Sequence, residues 1–129
     1  MAALDGDDLT VTVTQRWIEG VKRHARGTID IEGTGTYTTG GITLVGVSPA
    51  TPAVKRFGMD RQLDVLVIQG SQVDSDPGTA STTNYVYGYN PTLKTLAVYQ
   101  SAGDGDVLDE ADTSEVPGPR RLQFYAIGW

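Results

Sequence analysis

The chain of 129 residues contains no cysteine and a single histidine, His24. Without cysteine there can be no disulfide, zinc–thiolate site, iron–sulfur cluster or thiol nucleophile. A chain without thiols is compatible with an oxidising or a reducing compartment. No Gly-x-Ser-x-Gly elbow accompanies the histidine, so we expect no catalytic residues and no enzyme of the serine–histidine type. A hydrolase built on two convergent carboxylates stays open, because such carboxylates need only meet in space.

Basic side chains and long apolar runs are also scarce. There are 10 Lys and Arg against 16 Asp and Glu, for a formal charge of −6, whereas nucleic-acid binding relies on cations that neutralise phosphates. No segment approaches the ~18 apolar residues of a membrane span. The first eight residues, MAALDGDD, are acidic and lack the basic end and apolar stretch of a secretory signal. We therefore expect no nucleic-acid partner, no membrane partner and synthesis in the cytoplasm.

Glycine and threonine are abundant, and the apolar spacing is mostly that of strands. Leu9, Val11, Val13 and Trp17 alternate with threonines, which predicts a strand with one buried face, interrupted only by Gln15. A second strand is predicted after a turn at Gly20. A helix over residues 15–26 is the local competitor, but Gly20 in its middle would cost about 1 kcal/mol relative to alanine.

The rest of the chain continues this pattern. The apolar, β-branched segment 63–68 predicts a strand buried on both faces at the centre of the core. Asn90-Pro91 predicts a hairpin turn between strands 85–89 and 96–99. A short helical turn is expected within 53–61 and a final strand over 122–127. About seven short strands with Gly- and Pro-rich turns predict an all-β fold, a β-sandwich or jelly roll. Residues 10–129 form this single domain, and residues 1–9 are expected to be a flexible arm.

Two polar stretches, 70–83 and 101–119, are predicted to be long loops. The second holds six acidic residues and no basic one. Asp104-Gly105-Asp106 begins like an EF-hand, but Val107 and Leu108 stand where the next acid and glycine belong. A looser oxygen site from Asp109, Glu110 and Asp112 remains conceivable, yet acidic runs are usually solvated faces. We expect no metal and no cofactor.

The aromatic residues allow two interpretations. Tyr85, Tyr87 and Tyr89 share one face of a strand, either as a sugar-stacking platform or protein interface, or as packing partners of the next strand. Trp17 and Trp129 have the same ambiguity. Because Trp129 has little chain left to cover it, we predict that it is buried against a neighbouring subunit.

Several segments together resemble small structural proteins of tailed-bacteriophage heads. They are RWIEGVKR (16–23), TIDI (28–31), YTTGGITL (37–44), LDVLVI (63–68), YVYGYNPTLK (85–94) and LAVY (96–99). The resemblance, which does not include loop 103–116 or Trp129, implies a capsid decoration (cement) protein. Such proteins are non-enzymatic β-sandwich or jelly-roll domains that commonly trimerise and clamp adjacent major-capsid subunits. It thus implies a homotrimer on the capsid surface of a virion, with the major capsid protein and itself as partners.

Contacts with these partners are expected from residues 1–9 and the loops 70–83 and 101–119. The candidate interface residues are Leu4, Leu9, Trp17, Lys22, Arg23, Arg26, Tyr85, Tyr87 and Trp129. The basic segment 22–26 is predicted to face an acidic partner, such as loop 104–115 of a neighbouring subunit. The alternative function is a carbohydrate-binding or receptor-binding module of a virion that uses the tyrosine face.

Overall fold

Two antiparallel β-sheets make up most of the protein. The computed structural model describes residues 2–47, 50–69, 85–101, 108–111, 113 and 115–129. In chain order these contain a 3₁₀ turn (Gly6–Asp8), β1 (Leu9–Glu19), β2 (Lys22–Ile31), β3 (Ile42–Thr43), β4 (Gly46–Val47), β5 (Ala50–Thr51), α1 (Ala53–Arg56), β6 (Leu63–Gln69), β7 (Val86–Asn90), β8 (Thr95–Ser101), β9 (Leu108–Glu110) and β10 (Arg120–Gly128).

The larger sheet has the strand order β1-β2-β10-β6, and the smaller sheet has the order β3-β8-β7, with β9 also paired to β8. Strands β4 and β5 pair only with each other. This confirms the predicted all-β, sandwich-like fold. The described part of the chain has more strands than the predicted seven, because strands of two or three residues are too short to show an alternating pattern.

The β1–β2 hairpin confirms the predicted turn at Gly20. Glu19 pairs with Lys22, which leaves a two-residue loop whose first residue, Gly20, has φ +62°. Glycine adopts this left-handed conformation without steric cost, as tight hairpin turns require. The competing helix over 15–26 is therefore excluded.

A β-bulge in β1 changes which face its side chains occupy. Val13 pairs with Gly27 and Gln15 pairs with Arg26, so Thr14 is an extra residue without a counterpart on β2. An extra residue reverses the alternation beyond it. The prediction that Trp17 continues the inward set of Leu9 and Val13 is thus wrong, because beyond the bulge it lies on the outer face of the sheet, opposite His24.

The core lies between the two sheets. Ile29 and Leu122 of the larger sheet and Leu96 of the smaller one are fully buried in one hydrophobic cluster. Phe57, which follows α1, packs edge-on against Phe124, with ring centroids 4.9 Å apart at 90°. The predicted short helical turn therefore supplies a ring to the centre of the core.

Strand β6 is not buried on both faces, contrary to expectation. It is an edge strand of the larger sheet. Leu66 is buried at 7% exposure, whereas Val65 and Val67 are 41% and 44% exposed. The apolar segment 63–68 is therefore not a central strand, because two of its apolar residues, Val65 and Val67, lie on the outer face of the sheet.

The N-terminal segment packs onto the domain and is not the free arm that its polarity suggested. Leu4 and Leu9 are only 4% and 2% exposed, and the Leu4 amide donates to the Thr36 carbonyl at 2.9 Å. Asp5 and Asp8 form a reciprocal capping box around the 3₁₀ turn. Two buried leucines and a capped turn hold the segment, which the count of polar residues did not reveal.

Replacing Phe57 by alanine should destabilise the protein by about 3–5 kcal/mol, because the cavity lies at the contact with Phe124. Urea unfolding followed by circular dichroism measures this. Leu93→Ala, at a side chain that is 55% exposed, is the control and should stay within about 0.5 kcal/mol of the parent. Equal effects of the two substitutions would contradict the placement of the core.

Candidate interaction surface

Three rings form a cluster on the outer face of the larger sheet. Trp17 of β1 stacks on His24 of β2, with centroids 5.2 Å apart and planes within 14°. His24 Nδ1 lies 2.5 Å from the hydroxyl of Tyr125 on β10, and the Trp17 and Tyr125 centroids are 6.0 Å apart. Trp17 and Tyr125 remain half-buried, whereas His24 is buried beneath them. The cluster thus presents the rings of Trp17 and Tyr125 at the surface, above the buried ring of His24.

The strand register extends this cluster across the sheet. Trp17 is opposite His24, which is opposite Ile127, which in turn is opposite Val65. A second row runs beside it, namely Gln15, Arg26, Tyr125 and Val67. Neighbouring side chains on one face of paired strands contact each other. The outer face therefore carries a mixed aromatic and aliphatic band across all four strands.

Lys22, the first residue of β2, contacts both Asp64 of β6 and Trp129, the last residue of the sequence. Its Nζ lies 2.5 Å from Asp64 Oδ2 and 4.1 Å from the centroid of the Trp129 ring. The hydrogen bond from Lys22 lowers the pKa of the Asp64 carboxyl. The main chain of Trp129 is fixed too, since its carbonyl accepts from the amides of Asp60 (2.6 Å) and Arg61 (2.8 Å).

One arginine borders these rings on the outer face, since the Arg26 guanidinium carbon lies 6.0 Å from the Trp17 ring centroid. Arg16 and Arg23 alternate with Trp17 and His24 along their strands and therefore point from the other face of the sheet. They line a shallow cleft of about 410 Å³ at the end of the hairpin, which Trp17 and His24 also line. We call the following set the hairpin-end surface: Arg16, Trp17, Lys22, Arg23, His24, Arg26, Val65, Val67, Tyr125, Ile127 and Trp129.

The structure brings together five of the nine predicted interface residues at this surface: Trp17, Lys22, Arg23, Arg26 and Trp129. The other four, Leu4, Leu9, Tyr85 and Tyr87, are buried inside the chain. They cannot contact a partner without unfolding part of the domain. Their side chains are part of the hydrophobic core.

The tyrosine platform predicted for glycan stacking is wrong for this reason. Tyr85 and Tyr87 are 2% and 7% exposed, because this face of β7 points into the core. The Tyr85 hydroxyl donates to Glu115 Oε2 at 2.6 Å, and the Tyr87 hydroxyl donates to the Pro117 carbonyl at 3.2 Å. The packing interpretation of these tyrosines is the one the structure supports.

Part of the acidic stretch has a structural role. Glu110 Oε2 accepts from the hydroxyl of Tyr37 (2.7 Å) and from the amide of Gly40 (2.8 Å). Burial, and then the hydrogen bond to Glu110, raises the pKa of Tyr37 well above its ordinary value. Asp112 lies outside the described residues, as do segment 70–83 and residues 102–107 and 114. Among the residues the structure describes, no three acidic or histidine side chains form a metal-binding group.

Sequence reasoning missed Tyr125, Ile127, Val65 and Val67 as surface residues. The odd positions of β10 do alternate with its buried even positions, so the pattern carried a signal for Tyr125 and Ile127. The sequence carried no such signal for Val65 and Val67, because residue type alone does not distinguish a valine on the outer face of an edge strand from a valine in the core.

No family model matches the chain, and neither a curated protein nor a solved structure is significantly similar to it. None of the helices in the described ranges is long and apolar enough to cross a bilayer.

The protein should lose stability above about pH 10. Unfolded tyrosine ionises near pH 10, whereas burial raises the pKa of native Tyr37 and Tyr87. Below that pH both states are neutral and stability is complete, and above it the unfolded chain releases protons that the native state retains. Urea midpoints measured from pH 7 to 11 should therefore fall at the alkaline end.

Tyr37→Phe should reduce this alkaline fall, because it removes one of the buried tyrosine hydroxyls whose pKa is raised. Tyr99→Phe, at a side chain that is 37% exposed, is the matched control. A midpoint that stays constant through pH 11 would show that the buried tyrosines ionise in the native state.

Proposed function

We propose that this protein is a non-enzymatic structural protein of a phage virion, a decoration protein that self-associates as a homotrimer and binds the major capsid protein on the assembled head. The observation that carries the proposal is the hairpin-end surface, whose aromatic and aliphatic band is bordered by arginine and lysine and stays partly exposed among the described residues. The sequence resemblance to phage-head proteins supports the same function.

The composition of the hairpin-end surface is that of a binding interface. Tryptophan, tyrosine and arginine are the residues that most often dominate binding free energy, and charged residues surround an apolar centre. Val65 and Val67 remain more than 40% exposed. Covering apolar area stabilises a complex by about 25 cal/mol per Å² before the costs of association are subtracted. A partner that covers Val65 and Val67 therefore gains the free energy of removing their exposed apolar surface from water.

The rigidity of the surface favours binding as well. Trp17 is stacked on His24, and Lys22 is held by Asp64 and Trp129. Side chains that are already ordered lose little conformational entropy when a partner arrives. The surface is thus preorganised.

A decoration protein acts by mass action. A protein that binds the assembled shell but not its separated subunits shifts the equilibrium toward the intact shell. A trimer multiplies weak contacts through effective concentration where its geometry matches the lattice. The carbohydrate-binding alternative has no comparable support, because Tyr85 and Tyr87 lie in the core.

Trp17→Ala should weaken self-association roughly 30-fold, the value for a hot-spot residue that contributes about 2 kcal/mol. Light scattering after size exclusion measures the mass, which should be three times 13.8 kDa for the parent and fall toward the monomer for the variant. Gln123→Ala, on the same face of β10 but outside the hairpin-end surface, is the control and should leave the mass unchanged.

Binding to shells is tested separately by sedimentation with intact and with dissociated heads of the phage that carries this sequence. Co-sedimentation with intact heads only is the expected result. A chain that is monomeric at all concentrations and binds neither form would refute the proposed function.

A further inference from the structure

Basic side chains are concentrated at the closed end of the β1–β2 hairpin and on the segment 55–61 that packs beneath it. Six of the ten lysines and arginines of the chain lie there, namely Arg16, Lys22, Arg23, Arg26, Lys55 and Arg61. Three acidic residues accompany them, namely Glu19, Asp60 and Asp64. Six positive and three negative charges leave +3 at this end of a chain whose formal charge is −6. The charge favours an acidic partner.

Two of these arginines have no acceptor of their own. Arg16 and Arg23 line the cleft at the end of the hairpin, and within the described residues neither side chain forms a hydrogen bond or an ion pair. Asp60 lies beside Arg23 in an adjoining cleft, but its ion pair is with Lys55 at 2.6 Å. Guanidinium groups bind carboxylates and phosphates through paired hydrogen bonds. The cleft therefore suits an oxyanion.

The backbone of β1 at this cleft is open to a further strand. β1 is an edge strand of the larger sheet. Glu19 and Lys22 close a two-residue loop and are a hydrogen-bonded pair, and such pairs alternate with pairs whose N–H and C=O groups point away from each other. Arg16 and Ile18 belong to pairs of the second kind. Their backbone groups point away from β2, and no other backbone group bonds to them in the part of the chain that the structure describes.

The two faces of the sheet differ beside this open edge. Arg16 and Ile18 line the cleft, and Ile18 is 68% exposed, whereas the half-buried ring of Trp17 lies on the outer face. A strand added beside β1 places alternate side chains on these two faces. A carboxylate opposite Arg16 forms an ion pair, and an apolar side chain opposite Trp17 contacts the indole ring. The edge thus suits an extended segment in which acidic and apolar residues alternate.

We propose that the edge of β1 at Arg16 and Ile18 binds an extended segment of the major capsid protein, with alternating acidic and apolar residues, as an additional antiparallel strand. The inference deepens the proposed function and rests on it for the identity of the partner. All strand pairs of the larger sheet are antiparallel, and antiparallel pairing is the more stable per residue. In this mode of recognition main-chain hydrogen bonds supply affinity and alternate side chains supply specificity. A nucleic acid offers phosphates to the arginines but no strand to the edge.

A capped heptapeptide of alternating aspartate and valine is the probe. Titrated into the ¹⁵N-labelled protein, it should shift the amide signals of Arg16 and Ile18 more than those of other residues, because these amides gain acceptors. The matched peptide of alternating lysine and valine should bind roughly tenfold more weakly or not at all. Equal binding of the two peptides would overturn the acidic character of the segment.

Methylation of the peptide backbone tests the strand geometry. In an antiparallel pair the residue opposite Arg16 directs its own N–H and C=O toward β1, and in the bound peptide this residue is an aspartate. The peptide that is N-methylated at its aspartates should therefore fail to bind. The peptide of equal size and charge that is N-methylated at its valines should still bind. Equal effects of the two methylations would refute the added strand.

Arg16→Ala should weaken binding of the aspartate–valine peptide roughly tenfold, because it removes the cation that faces the carboxylate. Lys94→Ala, at an exposed lysine elsewhere, is the control and should leave binding unchanged. Circular dichroism of both variants confirms that the fold is intact. Undiminished binding by Arg16→Ala would contradict the placement of the acidic residue.

The outcomes separate this inference from the proposed function. If the protein binds intact heads but not the peptide, the added strand is refuted while the proposed function stands. If the peptide binds as expected but the protein binds no heads, the proposed function fails and the strand site remains. If the peptide lowers the mass of the oligomer, the edge belongs to the contact between copies, and its assignment to the capsid protein is overturned.

Discussion

Thr14 is one residue more than β2 can pair with, and this mismatch in the β1–β2 register determines which side chains of β1 lie on each face of the larger sheet. Before the bulge, the alternation places Leu9 and Val13 toward the core. Beyond it, the same alternation places Trp17 on the outer face, where it stacks on His24. A one-residue shift moves a whole set of side chains to the other face, because side chains in a strand alternate with a period of two. The stack of Trp17 on His24, which contributes the indole ring to the outer face, depends on this shift.

The buried tyrosines at the smaller sheet follow a different constraint, because the hydroxyls of Tyr37, Tyr85 and Tyr87 each have an acceptor, whereas that of Tyr89 is buried without one. A hydroxyl without a partner in the core costs free energy, so buried tyrosines select nearby carboxylates and carbonyls. Glu110 and Glu115 meet this need for Tyr37 and Tyr85. Part of a stretch that resembles a solvated acidic loop is therefore bound to the core.

Long strands were easier to predict from the sequence than short ones. Long alternating strands such as β1 and β10 and the glycine turn at Gly20 were predictable, because local sterics and a repeated pattern determine them. A two-residue strand such as β5 shows no period and forms only through its partner. The position of β6 at an edge was equally hidden, as was the packing of the N-terminal segment through Leu4. Of the candidate site, the residues clustered along 17–26 were predicted, whereas Tyr125 and the valines of β6 come from distant parts of the chain.

By itself, the sequence determined the all-β class, the hairpin turns and the separation of charge along the chain, because these depend on local conformation and composition. Only the tertiary structure decided which side chains are available to a partner. Trp17 and Tyr87 are both aromatic residues in strands, yet one lies half-buried on the outer face and the other is 7% exposed in the core. The difference arises from a bulge and from the packing of one sheet on another, and both are properties of paired strands that a single strand's pattern does not contain.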